Sequence, residues 1–411
     1  MDLDPSNKVK PLLEAVAKML EERVYPVEAV FESEIGRHPK GRFHHTDRQL
    51  EILKSLKDEA KARGLWNFWL TDSDRGYGLN TVEYAYLAAE MGKSKLGPET
   101  FNCAAPDTGN MEVFERYGTE KMKSDWLVPL MNGEIRSAYL MTEPNVASSD
   151  ATNISMSCVP DGDDYVLNGE KWWASGAGDP RCKVYIVMVA TDPENENKHR
   201  RHSMIVVPAG TKGVEVLRPM QVFGNDDAPH GHMHMRFTDV RVPKESLILG
   251  LGRGFEVSQG RLGPGRIHHA MRAIGQAERA LELMCRRSLT RTAFGKPLAQ
   301  LGANHDIIAE CRMDIDMALL LCLKTCHMMD TIGNRAAAPW ISKIKVVAPR
   351  VSLKVIDEAI QMHGAMGISQ DTHLADAWTH QRTLRLADGP DAVHRRVIAR
   401  DELKKYTNEA V

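Results

Sequence analysis

Between Ser137 and Gly178 the chain reads SAYLMTEPNVASSDATNISMSCVPDGDDYVLNGEKWWASGAG, a stretch dense in hydroxyls, amides and tryptophan. Two runs with strand-like alternation, ISMSCV and DYVLNGEKWWAS, flank PDGD, an Asp-Gly turn between β-prone segments. Tyr139, Met141 and Thr142 come before these runs, and Trp173 and Ser175 close the second. Such a surface offers hydroxyls, backbone amides and a large aromatic ring to something flat. Simple core packing is the alternative for Trp173. Near the C-terminus, LRLADGPDAVHRRVIAR sets Asp388 before Gly389-Pro390. An acid there can work as a base, or cap a helix or shape a turn.

Other polar groups are less specific. His230, His232 and His234 recur at a spacing of two, so on a strand they would share a face, an arrangement able to hold a divalent metal. No fourth ligand is evident, and a polar strand face without metal is the expectation. Seven cysteines include no CxxC pair and read as reduced, buried thiols. Gly250-Leu251-Gly252-Arg253-Gly254 lacks the full dinucleotide spacing and a repeated βαβ pattern, so it reads as a joint.

The elements that must position these groups are legible from periodicity. Val9, Leu12, Leu13, Val16 and Leu20 mark one helical face, and Leu50, Leu53, Leu56 and Ala60 another. Helices are expected at Val82–Met91 and Glu112–Lys123. Between them FNCAAPDTGN carries Asp107, Thr108 and Asn110, where Asp107 or Thr108 can cap the following helix. From about Ile135 to Leu249 strands dominate: VYIVMVATD, HSMIVVPAG, GVEVLRPM and the strictly alternating HMHMRFTDVRVP. Beyond Phe255 long helical patterns return, with Ala270, Ile274, Ala277, Leu281 and Met284 in one stripe, and four long helices invite a bundle. The fold class is thus α+β and multidomain: a helical domain over 1–134, a β-domain over 135–250 and a C-terminal four-helix bundle over 251–411.

With 411 residues, 43% hydrophobic and 26% charged, the chain has an ordinary globular composition. A formal net charge of −2 argues against a strongly cationic nucleic-acid or membrane surface. No apolar run is long enough to span a bilayer. The start, MDLDPSNKVK, is unlike a presequence, so a cytoplasmic protein is the default expectation.

TEPNVASSDATN and EKWWASGAG resemble the two flavin-binding segments of the acyl-CoA dehydrogenases, and the likeness extends over nearly the whole chain. It implies that family's three-domain fold and an FAD cofactor. The region of Tyr139, Met141 and Thr142 would face the pyrimidine side of the flavin and Ser149 its pyrophosphate. Trp173 would lie against the isoalloxazine, with Ser175 hydrogen-bonded around N5 and Ser148 beside the substrate. RTAFGKPL resembles a segment whose arginine and phenylalanine, here Arg291 and Phe294, reach the FAD of a neighbouring subunit. QMHGAMG, with Gln361 and Gly364, resembles another segment of that kind. The resemblance therefore implies a homodimer or homotetramer, an acyl-CoA substrate and an electron-transferring flavoprotein as acceptor. Asp107 falls in a segment that lines the acyl cavity.

The same resemblance places the catalytic base on Asp388, followed by Gly389. The α-proton of a thioester is too weakly acidic for an exposed aspartate to remove. The carbonyl must be polarised by fixed donors, here the Asp388 amide and a flavin hydroxyl, and burial must raise the base towards working pH. Aspartate is shorter than the family's glutamate by roughly 1.5 Å, one C–C bond. Some relatives carry their glutamate one helix over, a place taken here by Gly265, which supplies no base. Arg266 beside it would hold the base or the CoA. Asp388 and FNCAAPDTGN most resemble the branch linked to 4-hydroxyacyl-CoA breakdown. A flavin oxidase of the nitroalkane-oxidase type shares this fold and uses an aspartate base. An FAD-containing DNA-binding relative is disfavoured, because residues 382–411 hold seven Lys/Arg against five Asp/Glu.

Overall fold

The computed structural model describes residues 4–71 and 74–407. Helices occupy the chain up to Met131, strands run from Arg136 to Ile248, and helices return at Gly254. The α+β succession expected from periodicity is the one observed. The chain divides into two compact units. One takes the residues through Pro26, Ala60–Phe101 and Gly263 onward; the other takes Val27–Glu59 and Asn102–Leu262. Boundaries at 134/135 and 250/251 follow changes of secondary structure, whereas these units follow packing.

The second unit is built on an eight-stranded sheet. Its strands are β1 (Arg136–Leu140), β2 (Ser157–Asp161), β3 (Asp164–Ser175), β4 (Cys182–Ala190), β5 (His202–Pro208), β6 (Val214–Pro219), β7 (His232–Pro243) and β8 (Leu247–Ile248). They run in the order β6-β7-β3-β2-β4-β5-β8, with β1 parallel to β4. The PDGD turn joins β2 to β3 with Gly162 at φ 60°, where a side chain would be strained. β2 starts at Ser157, so Ile154–Met156 lead into the strand rather than belonging to it. Leu167, Val187, Val189, Ile205, Val207, Met235 and Phe237 form the core that these strands close over.

The first unit is helical. Asn80 and Glu83 form a reciprocal capping box at the start of Thr81–Gly92. The helix Ala338–His363 packs against Asn304–Ala336 and against two shorter helices, Leu374–Leu384 and Asp391–Leu403. The expected stripe Ala270, Ile274, Ala277, Leu281 and Met284 is buried. Two expectations are corrected: Leu50 is exposed and Ile52 takes its place inside, and the helix expected from Glu112 already starts at Asp107. No helix among the described residues is long and apolar enough to cross a membrane.

The long helix Gly254–Thr290 passes Thr81–Gly92 with glycine on both sides of the crossing. A Cβ on Gly275 would meet the Ala89 carbonyl oxygen at 1.9 Å, and one on Gly92 the Arg272 backbone at 2.7 Å. Gly275→Ala should therefore cost about 1–3 kcal/mol through overpacking, read from urea denaturation.

Candidate active site

The loop Met141–Pro144 and strand β3 are fastened by one buried ion pair. Lys171 Nζ donates to Glu143 Oε1 at 2.7 Å and to the Met141 carbonyl at 3.0 Å. Glu143 also accepts from the Ser155 amide and hydroxyl and from the Met156 amide. Both side chains lie in the interior. Burial opposes the charge on each. On Glu143 it is outweighed by Lys171 and the two amides, which hold the carboxyl below its ordinary range. On Lys171 burial dominates and pushes the ammonium down to about 8.

Around this fastening stand the residues singled out for a flavin. The Trp172 amide donates to the Thr142 carbonyl, tying the loop to the strand just before Trp173. Trp173 is 37% exposed and held at φ 54°, at an irregularity in the β3–β7 register. A left-handed conformation is a costly state for a bulky residue, about 1–3 kcal/mol, and persists only where its surroundings impose it. Trp172 Nε1 is a buried donor without a partner among the described residues. Ser175 Oγ lies 2.8 Å from His232 Nδ1. Tyr139 carries the guanidinium of Arg261 over its ring at 3.9 Å, and Met141 Sδ accepts from Ser258 at 3.7 Å. A displayed aromatic face, an unmet donor and the Ser175 hydroxyl fit the flat, polar-edged flavin that the sequence resemblance implies.

Other candidates sit elsewhere. Ser149 is exposed. The Ser148 hydroxyl accepts from the Glu143 amide at 2.9 Å, so it clasps the loop rather than facing outward. Asp107 corrects one expectation: it does not cap its helix, whose N-cap is Pro106. It is 3% exposed, pairs with Arg136 Nε, and accepts from the Ser137 amide at 2.8 Å and hydroxyl at 2.6 Å. Both oxygens are spent on joining its helix to β1. His232 and His234 diverge in partner: His234 Nε2 reaches Glu170 at 2.8 Å, while His230 precedes the strand. Among the described residues no group of three His, Cys, Asp or Glu is placed to hold a metal.

In the helical unit, Asp388 lies in the loop between Leu374–Leu384 and Asp391–Leu403. It is not the cap of the following helix, whose N-cap is Pro390. Its backbone is left-handed, φ 54°, and its side chain is 19% exposed. The Asp388 carbonyl accepts from Arg266 Nε at 2.9 Å and faces His394 Nε2 at 3.3 Å. Arg266 thus grips the backbone of the acid. His269 Nε2 stands 3.5 Å from Oδ2. Burial outweighs the pull of Asp388 and pushes His269 down to about 3, so this neighbour stays neutral. Buried Lys345 donates to the Leu384 carbonyl, its ammonium pushed down to about 8 by desolvation against the pull of Asp388. A Cβ on Gly265 would sit 3.5 Å from Oδ2, so the position one helix over faces this same carboxylate. Gly389, at φ 102°, leaves room for the His394 ring.

Arg291, Phe294, Gln361 and Gly364 are all solvent-facing in this chain. Phe294 is 96% exposed at φ 51°, in a two-residue turn with Gly295. The groups that sequence reasoning passed over are Glu143, Lys171, His269, Lys345 and Arg261. A Lys on a strand and a Glu in a loop carry no spacing signal; only their burial marks them.

Descriptions of the acyl-CoA dehydrogenase N-terminal, middle and C-terminal domains match residues 8–134, 138–240 and 252–403. The chain is 51% identical over 407 residues to acyl-CoA dehydrogenase family member 10 of Mus musculus, covering 98% of this chain and 37% of that protein. It is 50% identical to family member 11 of Gallus gallus, with 98% and 52% covered. The chain spans about half the length or less of these animal relatives. Probable acyl-CoA dehydrogenase FadE2 of Mycobacterium tuberculosis is 48% identical, with 98% of each chain covered. An acyl-CoA dehydrogenase-type structure from Mycobacterium abscessus superposes with a TM-score of 0.93 at 49% identity, over 98% of this chain and all of that one.

Breaking the buried pair leaves a charge without its partner, so Glu143→Gln should cost about 3–5 kcal/mol in urea denaturation at neutral pH. The Glu143 carboxyl is lowered in the fold, so its contribution is complete above pH 4.5 and fades as pH falls through the lower folded value. Acid unfolding curves should therefore be shallower for the variant below that pH.

Proposed function

The chain belongs to the acyl-CoA dehydrogenase family, and from that premise we propose that it is an FAD-dependent oxidoreductase that desaturates an acyl-CoA thioester with Asp388 as its base. The observation carrying this reading is the setting of Asp388. Its carboxylate is largely withdrawn from water, its backbone is gripped by Arg266, and the neighbouring imidazole is neutral. The Asp388 amide polarises the thioester carbonyl, which acidifies the α-proton, and the carboxylate removes it. Arg266 holds the acid by its carbonyl and so fixes the reach of a side chain shorter than glutamate. Bound FAD would supply the acceptor for the β-hydride. Trp173 would cover its ring face, Ser175 would meet the reacting nitrogen, and Tyr139, Met141 and Thr142 would border the pyrimidine end. Ser149 would serve the pyrophosphate, and an electron-transferring flavoprotein would accept the electrons.

The exposure of Arg291, Phe294, Gln361 and Gly364 supports their serving the FAD of a neighbouring copy, with a dimer as the smallest competent unit. A fully exposed phenylalanine at a strained turn position gains most from a covering surface.

Arg261 favours an oxygen-bearing acyl group. It is 7% exposed, its Nε donates to Asn110 Oδ1 at 3.1 Å, and Asn110 in turn donates to Ser137 Oγ at 2.9 Å. Among the described residues its two Nη groups have no hydrogen-bond partner. A Cβ on Gly109 would come within 3.1 Å of Nε, so glycine makes the room the guanidinium occupies. A withdrawn cation beside Tyr139 suits a hydroxylated or acidic acyl chain better than a plain one.

Two measurements check this reading. Asp388→Asn should retain FAD and thioester binding while anaerobic flavin bleaching slows by at least about 100-fold; normal bleaching refutes the assignment of the base. With a panel of straight, branched and 4-hydroxy acyl-CoAs, the 4-hydroxy compounds should bleach fastest. Arg261→Met should erase that preference by about tenfold or more, and an unaltered ranking refutes the role of Arg261.

A further inference from the structure

Ser175 and His232 are cross-strand partners at one end of the β3–β7 ladder. The Gly176 amide bonds the Gly231 carbonyl at 3.0 Å just beyond them and pins the pair. Gly176 sits at φ 74°, and a Cβ there would meet the His230 ring at 3.0 Å, so the strand end admits no larger residue without displacing that ring. On the far side of the imidazole, His232 Nε2 stands 3.8 Å from Asp227 Oδ2. Asp227 occupies a left-handed backbone position, φ 51°. The His232 ring lies 5.8 Å, centre to centre, from that of Trp173. Ser175, His232 and Asp227 therefore stand in line beside the displayed tryptophan.

We propose that this line is a relay in which His232 and Asp227 are positioning residues that set the direction of the Ser175 hydroxyl, and through it the reduction potential of the flavin. The proposal rests on Ser175 meeting the flavin as described above. Asp227 attracts the imidazole proton to Nε2, which leaves Nδ1 as an acceptor. Ser175 has one proton to give. Given to His232, it leaves the hydroxyl oxygen facing the flavin as an acceptor. A ring nitrogen at that place carries hydrogen only after reduction and offers a lone pair before it. The oriented oxygen therefore favours the reduced ring and opposes the oxidised one. The relay moves no atom irreversibly and needs no co-reactant; it fixes the polarity of one hydrogen bond.

The test is the midpoint potential of the FAD-loaded protein, measured by anaerobic dye equilibration beside the visible spectrum. His232→Phe keeps an aromatic ring against Trp173 but frees the Ser175 proton. It should shift the reduced-to-oxidised ratio at least tenfold towards oxidised, about 30 mV downward for a two-electron couple. His232→Asn, whose carbonyl can still accept from Ser175, should stay close to the parent value. Asp227→Asn should fall in the same direction as His232→Phe. An unchanged potential in His232→Phe, or equal falls in the Phe and Asn variants, overturns the relay. If His232→Phe does not retain flavin, an unchanged potential in Asp227→Asn overturns it equally. Ser175→Ala separates the two claims: an unshifted potential and spectrum there remove Ser175 from the flavin altogether. A shift in Ser175→Ala without one in His232→Phe removes only the relay.

Discussion

A lysine and a glutamate with no access to water hold the β-unit's functional surface in shape. Lys171 and Glu143 come from the two segments that carry the flavin candidates of that unit other than Tyr139, one on strand β3 and one in the loop after β1. A buried pair of this kind is not a cheap source of stability, because desolvation consumes much of the attraction. What it provides is registry. Three further donors converge on Glu143, and the second bond of Lys171 goes to the Met141 carbonyl, so the loop has a single arrangement that satisfies all of them. The left-handed Trp173 and the inward-turned Ser148 depend on that arrangement. Strain at Trp173 is tolerated because residues on both sides are fixed, by the Trp172–Thr142 bond before it and the Ala174–Met233 pairing after it.

Asp388 shows the same economy in a helical setting. Asp388 takes a left-handed backbone outside a helix cap, and its carbonyl accepts from Arg266 Nε. The acid is thus positioned through its own backbone. Neutral His269 borders it, and Gly265 leaves space beside Oδ2. A side chain at position 265 would address the same point in space as the Asp388 carboxylate.

Much of this was legible from residues alone, for reasons that differ by site. Strand β7 was read to its boundaries because its alternation is strict and one face is buried. The stripe from Ala270 to Met284 was read because helical spacing of apolar residues has one meaning. Leu50 misled: a leucine at helical spacing carries no mark of which way the helix is rolled, and Ile52 took the interior. As a helix cap Asp107 misled, because its partners, Arg136 and Ser137, lie about thirty residues on and announce themselves only in the folded chain. The link from His232 to Ser175 was likewise invisible, since it is made by strand pairing; the histidine triplet drew attention for a metal geometry that the three rings do not share.

The account stands on the claim that the buried pair pre-forms the flavin surface, and FAD affinity tests that claim most directly. Tryptophan fluorescence quenching on titrating FAD into flavin-free protein would compare the parent with Lys171→Met, with circular dichroism confirming the fold. The account predicts affinity at least about tenfold weaker in the variant, a difference of 1.4 kcal/mol, with the secondary structure retained. Equal affinity in a folded Lys171→Met protein would contradict it.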